Sequence, residues 1–184
     1  HLAETIEKHF QSQPVKNIQM SCVPEIKPLG TAGGFLNAIR DTKEKPQAWL
    51  VMNGDSLVLA SLGNLFHMLA GRTEGAILGV RVPDASRFGT ISQNEHGELT
   101  GFNEKKSGAG VINAGVYLFR PSAIELFPAQ TPLSFELDVF PALIARKIRL
   151  KACVTDTPFL DIGTPESLPL AENFIRRNEF FFEP

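Results

Sequence analysis

The apolar residues of this chain change their spacing several times, and each change predicts an element. In the opening HLAETIEKHF, Leu2, Ile6 and Phe10 recur at helical spacing, as in the middle or end of an amphipathic helix. Residues 18–23 (IQMSCV) alternate and predict a strand. The loop PEIKPLGTAGG follows, and FLNAIRDT then predicts a short helix. Residues 48–52 (AWLVM) form an unbroken apolar run, suited to a strand covered on both faces as in a parallel sheet. Leu62, Leu65, Phe66 and Leu69 mark another helix, and GAILGVRV another strand, ended by Pro83.

The middle of the chain has a different texture. TISQ and ELTGF on either side of NEHG predict a hairpin. VINAGVYLF predicts a long strand and SAIELF a short helix. Residues 134–146 (SFELDVFPALIAR) predict a helix with Phe135, Val139, Phe140, Leu143 and Ile144 on its apolar side. Glu136 and Asp138 suit the positive end of that helix's dipole, and Pro141 predicts a kink or a break. LKACVTD and PFLDIG read as two more strands. TPESL opens a final helix, with Thr164 as N-cap and Pro165 in the first position. The tail FFFEP is expected to pack under that helix or against a second subunit. Strands alternating with helices predict an α/β fold, one domain over residues 1–184, without repeats or linkers.

Composition narrows the function classes. A net charge of −2 supplies no global basic field for nucleic acid or an anionic membrane. No apolar run approaches the length of a bilayer span. The two cysteines, Cys22 and Cys153, are far apart and lack metal-ligand spacing, as expected of reduced core residues in a cytoplasmic protein. The four histidines do not cluster, which argues against zinc.

The candidate chemistry sits at strand ends. WLVMNGDSL climbs through apolar residues and stops on Asn53, Gly54 and Asp55. Ligands of open α/β sheets bind beyond the carboxyl ends of strands, although Asn-Gly-Asp is also ordinary turn chemistry. FLDIGTPES puts Asp161 in a similar place. Two such aspartates meeting in space, with phosphate oxygens, make a Mg²⁺ site. The stretch Leu29-Gly30-Thr31-Ala32-Gly33-Gly34 can offer backbone N–H groups to a phosphate or a base edge, or serve as a plain glycine-rich turn. It matches neither the P-loop nor the dinucleotide fingerprint. Phe88-Gly89-Thr90, Glu104-Lys105 and Asn113-Ala114-Gly115 each have a bland reading as turn, solvated charges or bulge. An Asn inside an apolar strand must find partners, which makes Asn113 the least bland of these.

In order along the chain, LGTAGG, WLVMNGD, RFGTISQNEHGELTGFNEK, VINAGVYLF, SFELDVFPALIA and FLDIGTPESL resemble the sugar-1-phosphate nucleotidylyltransferases. FNEK without a following Pro, and the compact C-terminus, look most like the heptose-1-phosphate or mannose-1-phosphate guanylyltransferase branch. The resemblance implies a Rossmann-like, doubly wound mixed sheet and a nucleotidyl transfer from a nucleoside triphosphate to a sugar 1-phosphate. It implies that Gly30, Thr31 and Gly33 lie against base and ribose. Asp55 and Asp161 would hold Mg²⁺, Gly89 would lie under the sugar, and Glu104 would accept its hydroxyls. Lys105 would pair with the sugar phosphate, and Asn113 and Gly115 would line the sugar pocket. Family members often pair, so a homodimer is one option, and the sequence leaves the oligomeric state open. The family's first strand, with its glycine-rich loop carrying Arg and Lys, has no match here, so the domain is expected to be N-terminally incomplete and the chain alone inactive. Two other readings stand beside this one: a nucleotide-sugar-dependent glycosyltransferase, and a non-catalytic relative that keeps the fold.

Overall fold

The computed structural model describes residues 3–103 and 107–181. They form two compact units, one of residues 3–44 and 129–135, the other of residues 45–103, 107–128 and 136–181.

The smaller unit holds α1 (Ala3–Ser12) and α2 (Thr31–Ile39). The amphipathic spacing of the opening stretch does form a helix, as expected. The alternating residues 18–23 do not form a strand. Ile18, Met20 and Val23 are exposed, and alternation without a bonding neighbour does not hold a strand. Helix α2 starts earlier than expected, so Thr31, Ala32, Gly33 and Gly34 form its first turn instead of a preceding loop. The segment through Leu133 closes on that turn: Leu133 donates to the Leu29 carbonyl at 2.7 Å, and the rings of Phe35 and Phe135 meet at 5.9 Å.

The larger unit is built on a mixed sheet. Its strands are β1 (Trp49–Met52), β3 (Gly75–Val82), β4 (Thr90–Gln93), β5 (Leu99–Asn103), β6 (Gly110–Phe119) and β7 (Leu150–Thr155). The order is β5-β4-β6-β3-β7, with β1 also on β6. β4 and β1 share one edge of β6, Thr90 opposite Ile112 and Trp49 opposite Phe119. β3 is antiparallel to β6 and parallel to β7. A separate ribbon pairs β2 (Ser56–Val58) with β8 (Phe159–Asp161).

The apolar run 48–52 departs from expectation. β1 runs antiparallel to β6, and Leu50 and Met52 are 36% and 54% exposed, so it is not covered on both faces. The strand that is covered on both faces is β3, buried from Gly75 to Val80 between its two neighbours. On one face Ala76, Leu78, Val80, Val116 and Leu118 pack with Leu65 of α3 (Leu62–His67). On the other, Tyr117 and Phe119 meet Phe140 of α5 (Phe140–Ala145) at ring distances of 5.1 and 5.5 Å. A short helix α4 (Pro121–Ile124) follows β6.

The expected hairpin is present as β4 and β5, its turn closed by Gly97 at φ 69°. The break expected at Pro141 is a change of helix type: a π-helical turn covers Phe135–Val139 and α5 begins at Phe140. Pro141 falls in the first turn of α5, where its missing N–H costs nothing. Thr164 caps a single turn instead of a helix. Its hydroxyl accepts the Ser167 N–H at 3.2 Å, a short 3₁₀ segment follows, and α6 covers Ala171–Arg177. Both cysteines are free, Cys153 in the core as expected and Cys22 only half-buried. Among the described residues no helix is long and apolar enough to cross a membrane.

Candidate active site

The two strand-end aspartates expected to meet do meet. Asp55 follows β1 and precedes β2; Asp161 ends β8. The antiparallel ribbon sets Ser56 opposite Asp161, and the Ile162 N–H donates to the Asp55 carbonyl at 2.8 Å. Gly163 stands between the two side chains. A Cβ there would lie 3.0 Å from Asp55 Oδ2 and 3.3 Å from Asp161 Oδ1, so those oxygens are no further apart than the sum of the two distances. The Gly163 N–H donates to Asp161 Oδ1 at 2.9 Å and fixes that carboxylate. Asp55 is exposed. Among the described residues no group of three or more His, Cys, Asp or Glu could hold a metal. A pair of carboxylates suits a hard cation that takes its remaining oxygens from water and phosphate, as Mg²⁺ does.

A cavity of about 600 Å³ opens in the same unit, lined by Phe88, Gly89, Phe102, Asn103, Asn113, Glu136, Leu137 and Pro141. Gly89, expected under the sugar, and Asn113, expected in the sugar pocket, both line this cavity. Two contacts tie this cavity to the carboxylate pair. Phe88 meets Phe159 of β8 edge-to-face at 5.7 Å. Asn53 donates its N–H to the Gly115 carbonyl at 2.8 Å, and its side chain lies over Gly115. Gly115 has φ +71°, and a Cβ there would stand 2.7 Å from Asn53 Nδ2. Only glycine leaves room for that approach at that backbone angle. The register between β3 and β6 shifts at this point, so the bulge offered as the bland reading is real.

Asn113 found its partners. Its Oδ1 accepts the Gly115 N–H at 2.9 Å, and its Nδ2 donates to Tyr117 Oη at 2.8 Å and lies 3.4 Å from Glu136 Oε1. Tyr117 donates its hydroxyl to Glu136 Oε1 at 2.8 Å. Burial pushes the Tyr117 hydroxyl well above its ordinary pKa, and the Glu136 charge pushes the same way, so it stays a donor across the physiological range. Tyr117 and Glu136 escaped the sequence reading. Tyr117 carried a signal: it is the one tyrosine of the chain, inside an apolar strand, with a hydroxyl that needs a partner. Glu136 carried none beyond its fit to a helix dipole.

Gly30, Thr31 and Gly33 are in the smaller unit, and their groups have local partners. A Cβ on Gly30 would run into the Leu133 carbonyl. That carbonyl accepts the N–H groups of Ala32 and Gly33 at 3.0 and 3.1 Å, and the Thr31 hydroxyl accepts the Phe135 N–H at 3.0 Å. The N–H of Gly34 goes to the Gly30 carbonyl at 2.8 Å. Glu104 and Lys105 lie outside the described residues, directly after Asn103 at the cavity.

The sequence profile of the nucleotidyl transferase family matches residues 1–178. The chain belongs to that family. A mannose-1-phosphate guanylyltransferase of Mycobacterium tuberculosis is 34% identical over 165 residues, 87% of this chain and 45% of that protein. The mannose-1-phosphate guanylyltransferase catalytic subunit beta of Drosophila pseudoobscura pseudoobscura is 32% identical over 89% of this chain and 45% of its own length. The chain thus spans about half the length of these relatives. The D-glycero-alpha-D-manno-heptose 1-phosphate guanylyltransferase of Campylobacter jejuni is 29% identical over 89% of this chain and 70% of its own. Among solved structures, HddC from Yersinia pseudotuberculosis complexed with GMP-PN superposes with a TM-score of 0.77 at 30% identity, covering 94% of this chain and 74% of that one. The mixed sheet described above is therefore the fold of this nucleotidyl transferase family.

Proposed function

We propose that the protein transfers a guanylyl group from GTP to the phosphate of a mannose- or heptose-type sugar 1-phosphate, releasing pyrophosphate. The observation that carries this reading is the convergence of Asp55 and Asp161 on Gly163, beside an aromatic-walled cavity of sugar size in a member of this family. The attacking phosphate oxygen is already ionised at neutral pH, so no general base is required. What the reaction needs is alignment of two anions that repel each other. Mg²⁺ held by Asp55 and Asp161 would offset that repulsion and orient the phosphate oxygens.

In this reading Lys105 pairs with the sugar phosphate and Glu104 accepts sugar hydroxyls. Gly89 lies under the ring, and Gly115 shapes the pocket floor through Asn53. Gly30, Thr31 and Gly33 form the contact for base and ribose, where small residues leave the backbone approachable. The setting is cytoplasmic. A homodimer through the C-terminal aromatics completes the proposal, since Phe180 and Phe181 are 67% and 45% exposed.

The test is pyrophosphate release by the complete protein with each nucleoside triphosphate and a panel of sugar 1-phosphates, with and without Mg²⁺. Mg²⁺-dependent release with GTP and mannose or heptose 1-phosphate supports the reading. Turnover of a nucleotide sugar onto an acceptor, without pyrophosphate, assigns the chemistry to glycosyl transfer instead.

A further inference from the structure

The two polar side chains that line the cavity from β6 and from the π-helical turn differ in how they are used. Both ends of the Asn113 amide point into the protein, to Gly115 on one side and to Tyr117 and Glu136 on the other. Asn113 therefore builds the wall. Glu136 is a half-buried carboxylate on the cavity, held at Oε1 by the Tyr117 hydroxyl. The π-helical turn gives it that aim. Glu136 faces Tyr117 while its neighbour Leu137 is 80% exposed at the cavity mouth. Such turns are frequent at functional sites. The same cavity is lined by Phe88, Phe102 and Pro141. A carboxylate acceptor in a cavity that also presents aromatic and proline side chains matches a ligand with an apolar ring face and several hydroxyl donors, which is the chemistry of a sugar. Low-dielectric walls strengthen each such hydrogen bond.

We propose that Glu136 is a specificity-determining residue whose carboxylate accepts hydroxyl hydrogen bonds from the ring of the sugar 1-phosphate, with Tyr117 and Asn113 as the positioning residues that hold it. This rests on the nucleotidyl transfer reading and adds a contact to it.

The test is steady-state kinetics of the complete protein with mannose 1-phosphate and its single-deoxy analogues, against Glu136→Gln and Tyr117→Phe. Glu136→Gln keeps the shape and removes the charge. It is expected to raise the KM for the sugar phosphate at least about tenfold, with the KM for GTP within about twofold. Tyr117→Phe is expected to raise the sugar KM by about three- to tenfold through loss of aim alone. One deoxy analogue is expected to lose about tenfold with the wild type and no more than about twofold with Glu136→Gln, because the hydroxyl and the carboxylate are partners. An unchanged sugar KM in Glu136→Gln, or equal losses for every analogue with both proteins, overturns the assignment and leaves nucleotidyl transfer intact. No pyrophosphate release by the wild type with any sugar 1-phosphate overturns nucleotidyl transfer, and the assignment with it. Should Glu136→Gln lose its near-ultraviolet circular dichroism, the deoxy series with the wild type and Tyr117→Phe decides alone: uniform tolerance of every missing hydroxyl overturns the proposal.

Discussion

The carboxylate pair and the cavity wall are both polar clusters at the end of an apolar sheet, and they are built in opposite ways. Asp55 and Asp161 come from a two-stranded ribbon, Asp55 is exposed, and a glycine stands between them in place of a side chain. Asp161 takes the Gly163 N–H, and no salt bridge among the described residues reaches either carboxylate. Asn113, Tyr117 and Glu136 answer one another through hydrogen bonds of 2.8 Å, around a tyrosine that is fully buried. A site left electrostatically open suits the cation and phosphates of the proposed reaction. A site whose side chains hold one another in place gives a fixed shape that a ligand must match. The first kind trades little stability for chemistry; the second couples stability and recognition.

That contrast can be broken at several points. The largest effect is expected at the open pair: Asp55→Asn in the complete protein should lower Mg²⁺-dependent pyrophosphate release by at least about a thousandfold, as loss of a metal ligand does. Its thermal unfolding should stay within about 0.5 kcal/mol of the wild type, because an exposed side chain is lost. Surviving activity would refute the metal assignment.

Gly115→Ala should act the other way round. It forces an L residue to φ +71° and a Cβ against Asn53, so a loss of about 2–4 kcal/mol is expected in denaturant titrations. If stability is kept, Asn53 is not held where the structure puts it.

Tyr117→Phe should cost about 1 kcal/mol at neutral pH, and its signature lies in the pH dependence. The folded hydroxyl titrates above its ordinary 10.0, so the unfolded chain releases its proton first. The stabilising contribution is whole below about pH 10 and is lost as pH rises beyond it, with a limiting slope of about 1.4 kcal/mol per pH unit. Cys153, also raised by burial, adds a loss of the same sign in both proteins. The wild type should therefore lose stability faster than Tyr117→Phe above about pH 10. Parallel curves would mean that Tyr117 is not buried beside a charge.

The smallest change is expected from Gly163→Ala. Its Cβ would press between the two carboxylates at 3.0 and 3.3 Å, weakening Mg²⁺ affinity by about tenfold with little effect on unfolding. Calorimetry of Mg²⁺ binding in the presence of nucleotide checks it.

Much of the fold was legible because short-range rules decide it. The turn at Gly97, the helix change at Pro141 and the strand limits of β3 follow from local backbone chemistry. The aspartates were legible for a similar reason, since each follows its own apolar run. The misreadings came from contacts between distant segments. Residues 18–23 alternate as a strand should, yet no strand among the described residues pairs with them. AWLVM and AILGV are equally apolar, yet β3 has a strand on either side and β1 pairs only with β6 among the described strands. No periodicity distinguishes an edge from a centre, because the difference lies in which other segments arrive.

The sequence by itself determined most of the elements, the strand ends that carry Asp55 and Asp161, and the demand that Asn113 find partners. It determined these because turn geometry, side-chain period and the cost of a buried unpaired amide act within a few residues. The tertiary structure alone decided who those partners are. Tyr117 and Glu136 are 19 residues apart, and their hydrogen bond exists because a π-helical turn is packed over β6. A contact between distant segments leaves no local mark at either end, so Glu136 looked like an ordinary first-turn acid until the chain was folded around it.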